Sequence, residues 1–120
     1  MKNNNVIANR SVEKIVTDWG SLQWLVTGAA GNSENLTVGR VTFNVGKSNP
    51  RHYHPNCEEV LYVESGTVEH TLPDGGSVVL EKGDCIVVPQ GVWHQATNIG
   101  DEEAVVVVTF NNAYRETVGE

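Results

Sequence analysis

Apolar and polar residues alternate with a period of two along much of the chain. Val41, Phe43 and Val45 are apolar, while Arg40, Thr42 and Asn44 are polar. Val68 and Leu72 are apolar among Thr67, Glu69 and Thr71. Successive side chains of a strand point to opposite faces, so this alternation predicts strands with one buried face. Val105-Val106-Val107-Val108 is apolar at every position. It predicts a strand covered on both sides, by the core within and by another sheet or a second subunit without. Turn signals separate the strands. Asp74-Gly75-Gly76 between Leu72 and Val78 predicts a hairpin, because Asp-Gly supplies the positive φ that tight hairpins need. Glu81-Lys82-Gly83-Asp84 predicts another turn. Helical spacing occurs only from Ser11 to Trp19, through Val12, Ile15, Val16 and Trp19, and predicts one short helix at most. Short strands bounded by glycine and proline define an all-β sandwich or barrel.

Composition narrows the class of partner. The 120 residues make one domain, with a barrel core expected over about residues 36–110 and frayed residues 1–5. Apolar residues are 39% and charged residues 19%, which suits a globular chain and not a disordered one. Eight Lys and Arg face 15 Asp and Glu, a net charge of −7. Such a surface repels duplex nucleic acid and anionic membranes on average, so neither is an expected partner. The longest apolar run, Ala104 to Val108, is far short of the roughly 20 residues of a spanning helix. Near the amino terminus, Val6-Ile7-Ala8 is broken by Asn9 and Arg10, so no secretory leader is expected. Cytoplasmic residence follows as an expectation, with Cys57 and Cys85 as free thiols.

Candidate chemistry lies in the histidines. His52 and His54 are two apart, so in a strand both imidazoles face one space. If Leu61 and Val63 face the core, Glu59 faces it too, and a buried carboxylate is costly unless paired or bound to metal. His94 follows a bend marked by Pro89 and Gly91, and a distant strand of a barrel can bring it to the same interior. Imidazole and carboxylate together suit divalent transition metals.

The spacing around these residues is specific. Gly46, His52, His54, Glu59 and Gly66 are separated by five, one, four and six residues. Gly83, Pro89, Gly91, His94 and Asn98 are separated by five, one, two and three. The two strings resemble the two sequence motifs of the cupin superfamily, with every fixed letter present. The resemblance covers Gly46 to Asn98 and implies a double-stranded β-helix, a small jelly-roll-like barrel. It implies that His52, His54, Glu59 and His94 hold one divalent transition metal: manganese, iron, nickel, cobalt or zinc. The short interval between the motifs implies a compact single barrel rather than a two-barrel oxalate-decarboxylase or seed-storage type. The string His52 to Val60 is also similar to auxin-binding proteins, which are zinc-holding cupins, with spacing that differs by one residue. Thiol dioxygenases lack the glutamate ligand, and Glu59 argues against that branch.

Other residues carry weaker signals. His70 shares the parity of Val68 and Leu72 and is read first as a neutral, satisfied core histidine; facing the metal, it could act as acid or base. Lys47 and Arg51 are candidates to grip an anionic substrate at the mouth. Trp19, Trp24 and Trp93 are expected to be core or interface anchors, with Trp93 and Tyr53 facing away from the metal. Cys57 is expected to pack as a small hydrophobe, and Asn98 to bond backbone in a bend. The expected function is a metal-dependent enzyme acting on a small oxygen-chelating substrate, such as a sugar, hydroxy-ketone, diketone or enediol. Isomerase, lyase or dioxygenase chemistry would all fit. The alternative is a binding or sensor protein for a sugar or carboxylate, without turnover. A homodimer is expected from the Val105 to Val108 strand and the resemblance.

Overall fold

The computed structural model describes residues 5–119; the expected fraying of residues 1–5 lies, apart from Asn5, outside them. Strands run β1 (Ile15–Val16), β2 (Gly20–Val26), β3 (Thr37–Phe43), β4 (His52–Tyr53), β5 (Glu59–Ser65) and β6 (Val68–Thr71). They continue with β7 (Ser77–Leu80), β8 (Cys85–Val88), β9 (Ala96–Asn98), β10 (Ala104–Phe110) and β11 (Val118–Gly119). A six-stranded sheet has the order β1-β2-β3-β10-β5-β8, a three-stranded sheet β7-β6-β9, and a short pair joins β11 to β4. All pairings are antiparallel. This is the all-β, jelly-roll-like barrel that the strand pattern and motifs imply.

The alternation of the sequence becomes the two faces of the large sheet. Thr37, Gly39, Val41 and Phe43 of β3 point inward, as do Leu61 and Val63 of β5 and Ala104, Val106, Val108 and Phe110 of β10. Val106 sits between Val41 and Val63 in register, so three strands put a continuous valine belt into the core. Val105 and Val107 stay half-buried on the outer face, beside exposed Val60, Tyr62 and Val87. On β6, Val68 and His70 are both buried, as their shared parity requires.

Turns fall where the motifs place them. Gly66 has φ +86°, and a Cβ there would lie 2.7 Å from Ala104 Cα, so the turn tolerates only glycine on both counts. Asp74-Gly75-Gly76 closes the β6–β7 hairpin, with the Asp74 carboxylate accepting from Gly76 N–H. Asn98 is fully buried. Its amide donates to the Phe43 and Glu102 carbonyls, and its oxygen accepts from Gly100 N–H. Its task is to hold a bend.

Two local expectations fail. No helix forms over Ser11 to Trp19. Asn9–Ser11 is a single 3-10 turn, and Ile15 and Val16 pair with Leu22 and Ser21 at the sheet edge. Two adjacent β-branched residues prefer the extended backbone, and the sheet edge supplies the ladder partners that a short isolated helix lacks. Val45 does not extend the inner face of β3. That strand ends at Phe43, the chain turns through Gly46 at φ +75°, and Val45 is exposed. Strand β2 went unread in the sequence because its pattern is inverted. Polar Ser21 and Gln23 are buried, and Gln23 donates to the carbonyls of Asn9 and Val12, which lie over that face. Among the described residues no helix is long and apolar enough to cross a membrane.

Candidate metal centre

His52, His54, Glu59 and His94 converge inside the barrel. Each offers one ligand atom, and these atoms all lie within 4.8 Å of one another. Backbone pairing brings them together. His52 N–H donates to the His94 carbonyl at 3.0 Å, and His94 N–H donates to the His52 carbonyl at 2.7 Å. The two histidines are thus a cross-strand pair. His54 follows two residues later, and Gly91 N–H donates to its carbonyl at 2.9 Å, which ties the second motif to the first. Glu59 opens β5 opposite Phe110 and Val88, on the same face as Leu61 and Val63. His54, Glu59 and His94 are buried, and His52 is half-buried.

Each ring is fixed by a backbone carbonyl. Nδ1 of His52 lies 2.7 Å from the Pro50 oxygen, Nδ1 of His54 2.9 Å from the Glu116 oxygen, and Nδ1 of His94 2.9 Å from the Val92 oxygen. A carbonyl can only accept, so Nδ1 carries the proton in all three rings. In the neutral rings each Nε2 then holds a lone pair facing the centre, the arrangement that outer partners of metal-bound imidazoles produce. Glu59 Oε1 lies 3.3 Å from His54 Nε2 and 3.0 Å from His94 Nε2. Oε1 and both of these Nε2 atoms are buried with no hydrogen-bond partner. Acceptors packed against acceptors need a cation between them.

The electrostatics say the same. Burial alone would raise the Glu59 carboxyl, yet hydrogen bonding from His54 and His94, once protonated, holds it down at about 2. Burial would lower His94, but the Glu59 carboxylate overrides it and raises the ring above the ordinary 6.5. His52 is pushed down to about 4, chiefly by burial. The cluster attracts one positive charge, and a divalent transition metal satisfies three imidazole nitrogens and a carboxylate oxygen together. The donor set therefore fits such an ion.

A cavity of about 330 Å³ opens from this cluster. Its far walls are apolar, with Leu22, Val41, Phe43 and Val106 among them, and Trp19 and Trp24 line it rather than serving only as core anchors. Trp24 lies over Gly39, where a Cβ would come within 2.6 Å of the indole. His70 also lines the cavity. It is buried and its Nδ1 bonds the Thr71 carbonyl at 2.8 Å, but its Nε2 has no partner, so it is only half-satisfied. Its ring stacks on His94 at 5.8 Å, and burial lowers its proton affinity.

The cation of the cavity is not the expected one. Neither Lys47 nor Arg51 lines it; Arg51 lies over Trp93, which packs edge-on against Tyr53 on the side away from the ligands. Arg115 lines it instead. Its guanidinium lies 3.9 Å over the Trp24 ring and 5.3 Å from Phe110, and it donates to the Thr117 hydroxyl at 2.6 Å. Sequence reasoning missed Arg115, although it is the single Lys or Arg after Lys82. Cys57 is 1% exposed and packs in the core as a small hydrophobe.

Fold and donor set together define a β-barrel with an interior cluster that could hold a metal ion. The family model for the cupin domain matches residues 39–110, and the chain belongs to that family. Germin-like protein 3-5 of Oryza sativa subsp. japonica is 36% identical over 88 residues, which are 68% of this chain and 39% of that protein. Oxalate oxidase 1 of Hordeum vulgare is 34% identical over 104 residues, 81% of this chain and 50% of that protein. Among solved structures, oxalate decarboxylase of Bacillus subtilis, a protein with Mn(II) centres, superposes with a TM-score of 0.82. It is 26% identical over 92% of this chain and 30% of its own. The chain thus spans half or less of the length of these relatives.

Proposed function

We propose that this chain is a metal-dependent enzyme domain acting on a small molecule that chelates through oxygen. One observation carries the reading: buried Nε2 lone pairs and a carboxylate oxygen face one point with no hydrogen-bond partners. The Mn(II) centres and oxalate chemistry named for its relatives support it and favour manganese among the candidate ions. A bound divalent ion would act as a Lewis acid, polarising a substrate oxygen at a position the four residues leave open. The chain's own residues set the conditions for that chemistry. Carbonyls of Pro50, Glu116 and Val92 hold the rings in one tautomer, so no reorganisation is needed on binding. Phe43, Val41 and Val106 make the far wall apolar, so a ligand body filling it would displace water and strengthen the polar interactions inside. Cys57 and Cys85 stand as free thiols, which suits a reducing compartment such as the cytoplasm. The half-buried Val105 and Val107, with exposed Val60, Tyr62 and Val87, support a homodimer through the outer sheet face.

The test is a turnover screen. Manganese-loaded protein is incubated with oxalate, sugars, hydroxy acids, keto acids and diketones, and binding and product are followed together. Conversion of at least one chelating substrate, abolished in Glu59→Gln, is the expected result. Saturable binding with no conversion across the panel would overturn the enzyme reading in favour of a sensor. Sedimentation at micromolar concentration should give a dimer; a monomer there contradicts the interface.

A further inference from the structure

The cavity holds two polar groups that metal binding does not use, and each asks for a different ligand atom. Arg115 is a half-buried cation braced on Trp24, Phe110 and Thr117. Among the described residues no carboxylate lies within ion-pair distance of it. Glu59 acts on Arg115 only through space, without an ion-pair contact, and its Oε1 lies against His54 and His94. A fixed, partly desolvated guanidinium with only a hydroxyl for a partner is a site for an anion, and a carboxylate matches its fork. His70 is 1% exposed, and its Nδ1–H is committed to the Thr71 carbonyl. Its unpartnered Nε2 can therefore only accept, and it lines the same cavity. A ligand O–H would satisfy it. The remaining wall is aromatic and aliphatic, and a two-carbon dianion such as oxalate would leave Trp19, Phe43 and Val106 facing empty or wet space.

We propose that the ligand of this cavity is a hydroxy- or enol-carboxylate with an aromatic or branched apolar body, recognised at its anionic end by Arg115 and at its hydroxyl by His70. This deepens the enzyme reading and rests on it for the catalytic meaning of the ligand, but not for its binding. Arg115 is a specificity residue here, and the apolar body separates this substrate class from oxalate.

Salicylate serves as probe, with salicylamide as its neutral counterpart, 2-methoxybenzoate lacking the O–H, and oxalate lacking the body. Calorimetry on the whole chain, with and without Mn²⁺, measures all four. In metal-free protein salicylate should bind about tenfold or more tighter than each of the others. In metal-free protein Arg115→Gln should erase its advantage over salicylamide, and Arg115→Lys should restore part of it. In metal-free protein, equal binding of salicylate and salicylamide, a preference that survives in Arg115→Gln, or oxalate outbinding salicylate would each overturn the proposal. The comparison of salicylate with salicylamide in the unmodified chain needs no variant to fold. Mn²⁺ uptake by the same samples is titrated separately. Arg115-dependent salicylate binding without Mn²⁺ uptake would overturn the metal reading alone; uptake without salicylate preference would overturn this proposal alone.

Discussion

The two ends of the cavity are built by different means. At the polar end, His52 and His94 each rest on the carbonyl two residues before them, and the two histidines pair across the barrel. Local chain geometry orients these two rings, while their pairing and the Glu116 carbonyl on His54 are long-range. At the apolar end, Trp19 meets Phe43 at 5.3 Å, Trp24 meets Phe110 at 6.4 Å, and the valine belt crosses three strands. There the shape comes from long-range packing. The polar end should therefore govern what ion binds, and the apolar end should govern stability and the body of the ligand, with little exchange between them.

That separation can be broken by substitution. The largest effect should come from the apolar end. Phe43 is 1% exposed, and Phe43→Ala should cost about 3–5 kcal/mol in urea unfolding, by the same amount with and without Mn²⁺. A cost that depends on the metal would show that the ends are coupled. Next comes Glu59→Gln. A metal held a hundredfold above its Kd stabilises the folded chain by about 2.7 kcal/mol. The variant should lose that increment, read as the absence of any Mn²⁺-dependent rise in Tm.

Acidity sharpens the comparison further. Metal binds deprotonated rings, and Glu59 raises His94 above the ordinary 6.5, so protons compete near neutrality. Mn²⁺ affinity by calorimetry should fall as the buffer goes from about pH 8 to about pH 6. Without metal the sign reverses. A raised folded value contributes stability that is fully present below 6.5 and lost as pH rises through that value. Metal-free protein should therefore lose stability on going alkaline from 6.5, measured by urea midpoints. Below 6.5, His52 at about 4 adds the opposite loss, so the comparison belongs above it. The smallest effect should come from outside the barrel. Arg40 makes a two-pronged contact with Glu64 on the exposed face, and Arg40→Ala should change stability by about 0.2–1 kcal/mol and leave Mn²⁺ uptake untouched.

The same contrast explains what could be read in the sequence. His52, His54, Glu59 and His94 were legible because strand parity and fixed spacing are local properties, and the glycines between them mark turns whose φ only glycine adopts cheaply. Strand alternation marked the inner faces of β3 and β5, whereas β10, apolar from Ala104 to Val108, carried no parity to read. Parity also put His70 inside, but not its missing partner, since satisfaction depends on what surrounds Nε2. Strand β2 was hidden because Gln23 is buried by a segment with which it bonds across 11 and 14 positions. Arg115 was hidden for the same reason. It reaches the cavity because the tail after β10 returns to pair with β4 and to place the Glu116 carbonyl on His54, 62 residues away. No local pattern encodes such a return. The failed helix from Ser11 to Trp19 is the converse: a helical spacing was present, and the sheet edge outcompeted it.

Metal content bears most directly on the convergence of the four donors. Protein purified without chelator or nickel resin, then assayed by elemental analysis beside His94→Ala, should carry a single divalent transition ion per chain that the variant lacks. Wild-type protein free of such an ion even after incubation with Mn²⁺, or equal metal in the variant, would contradict the account.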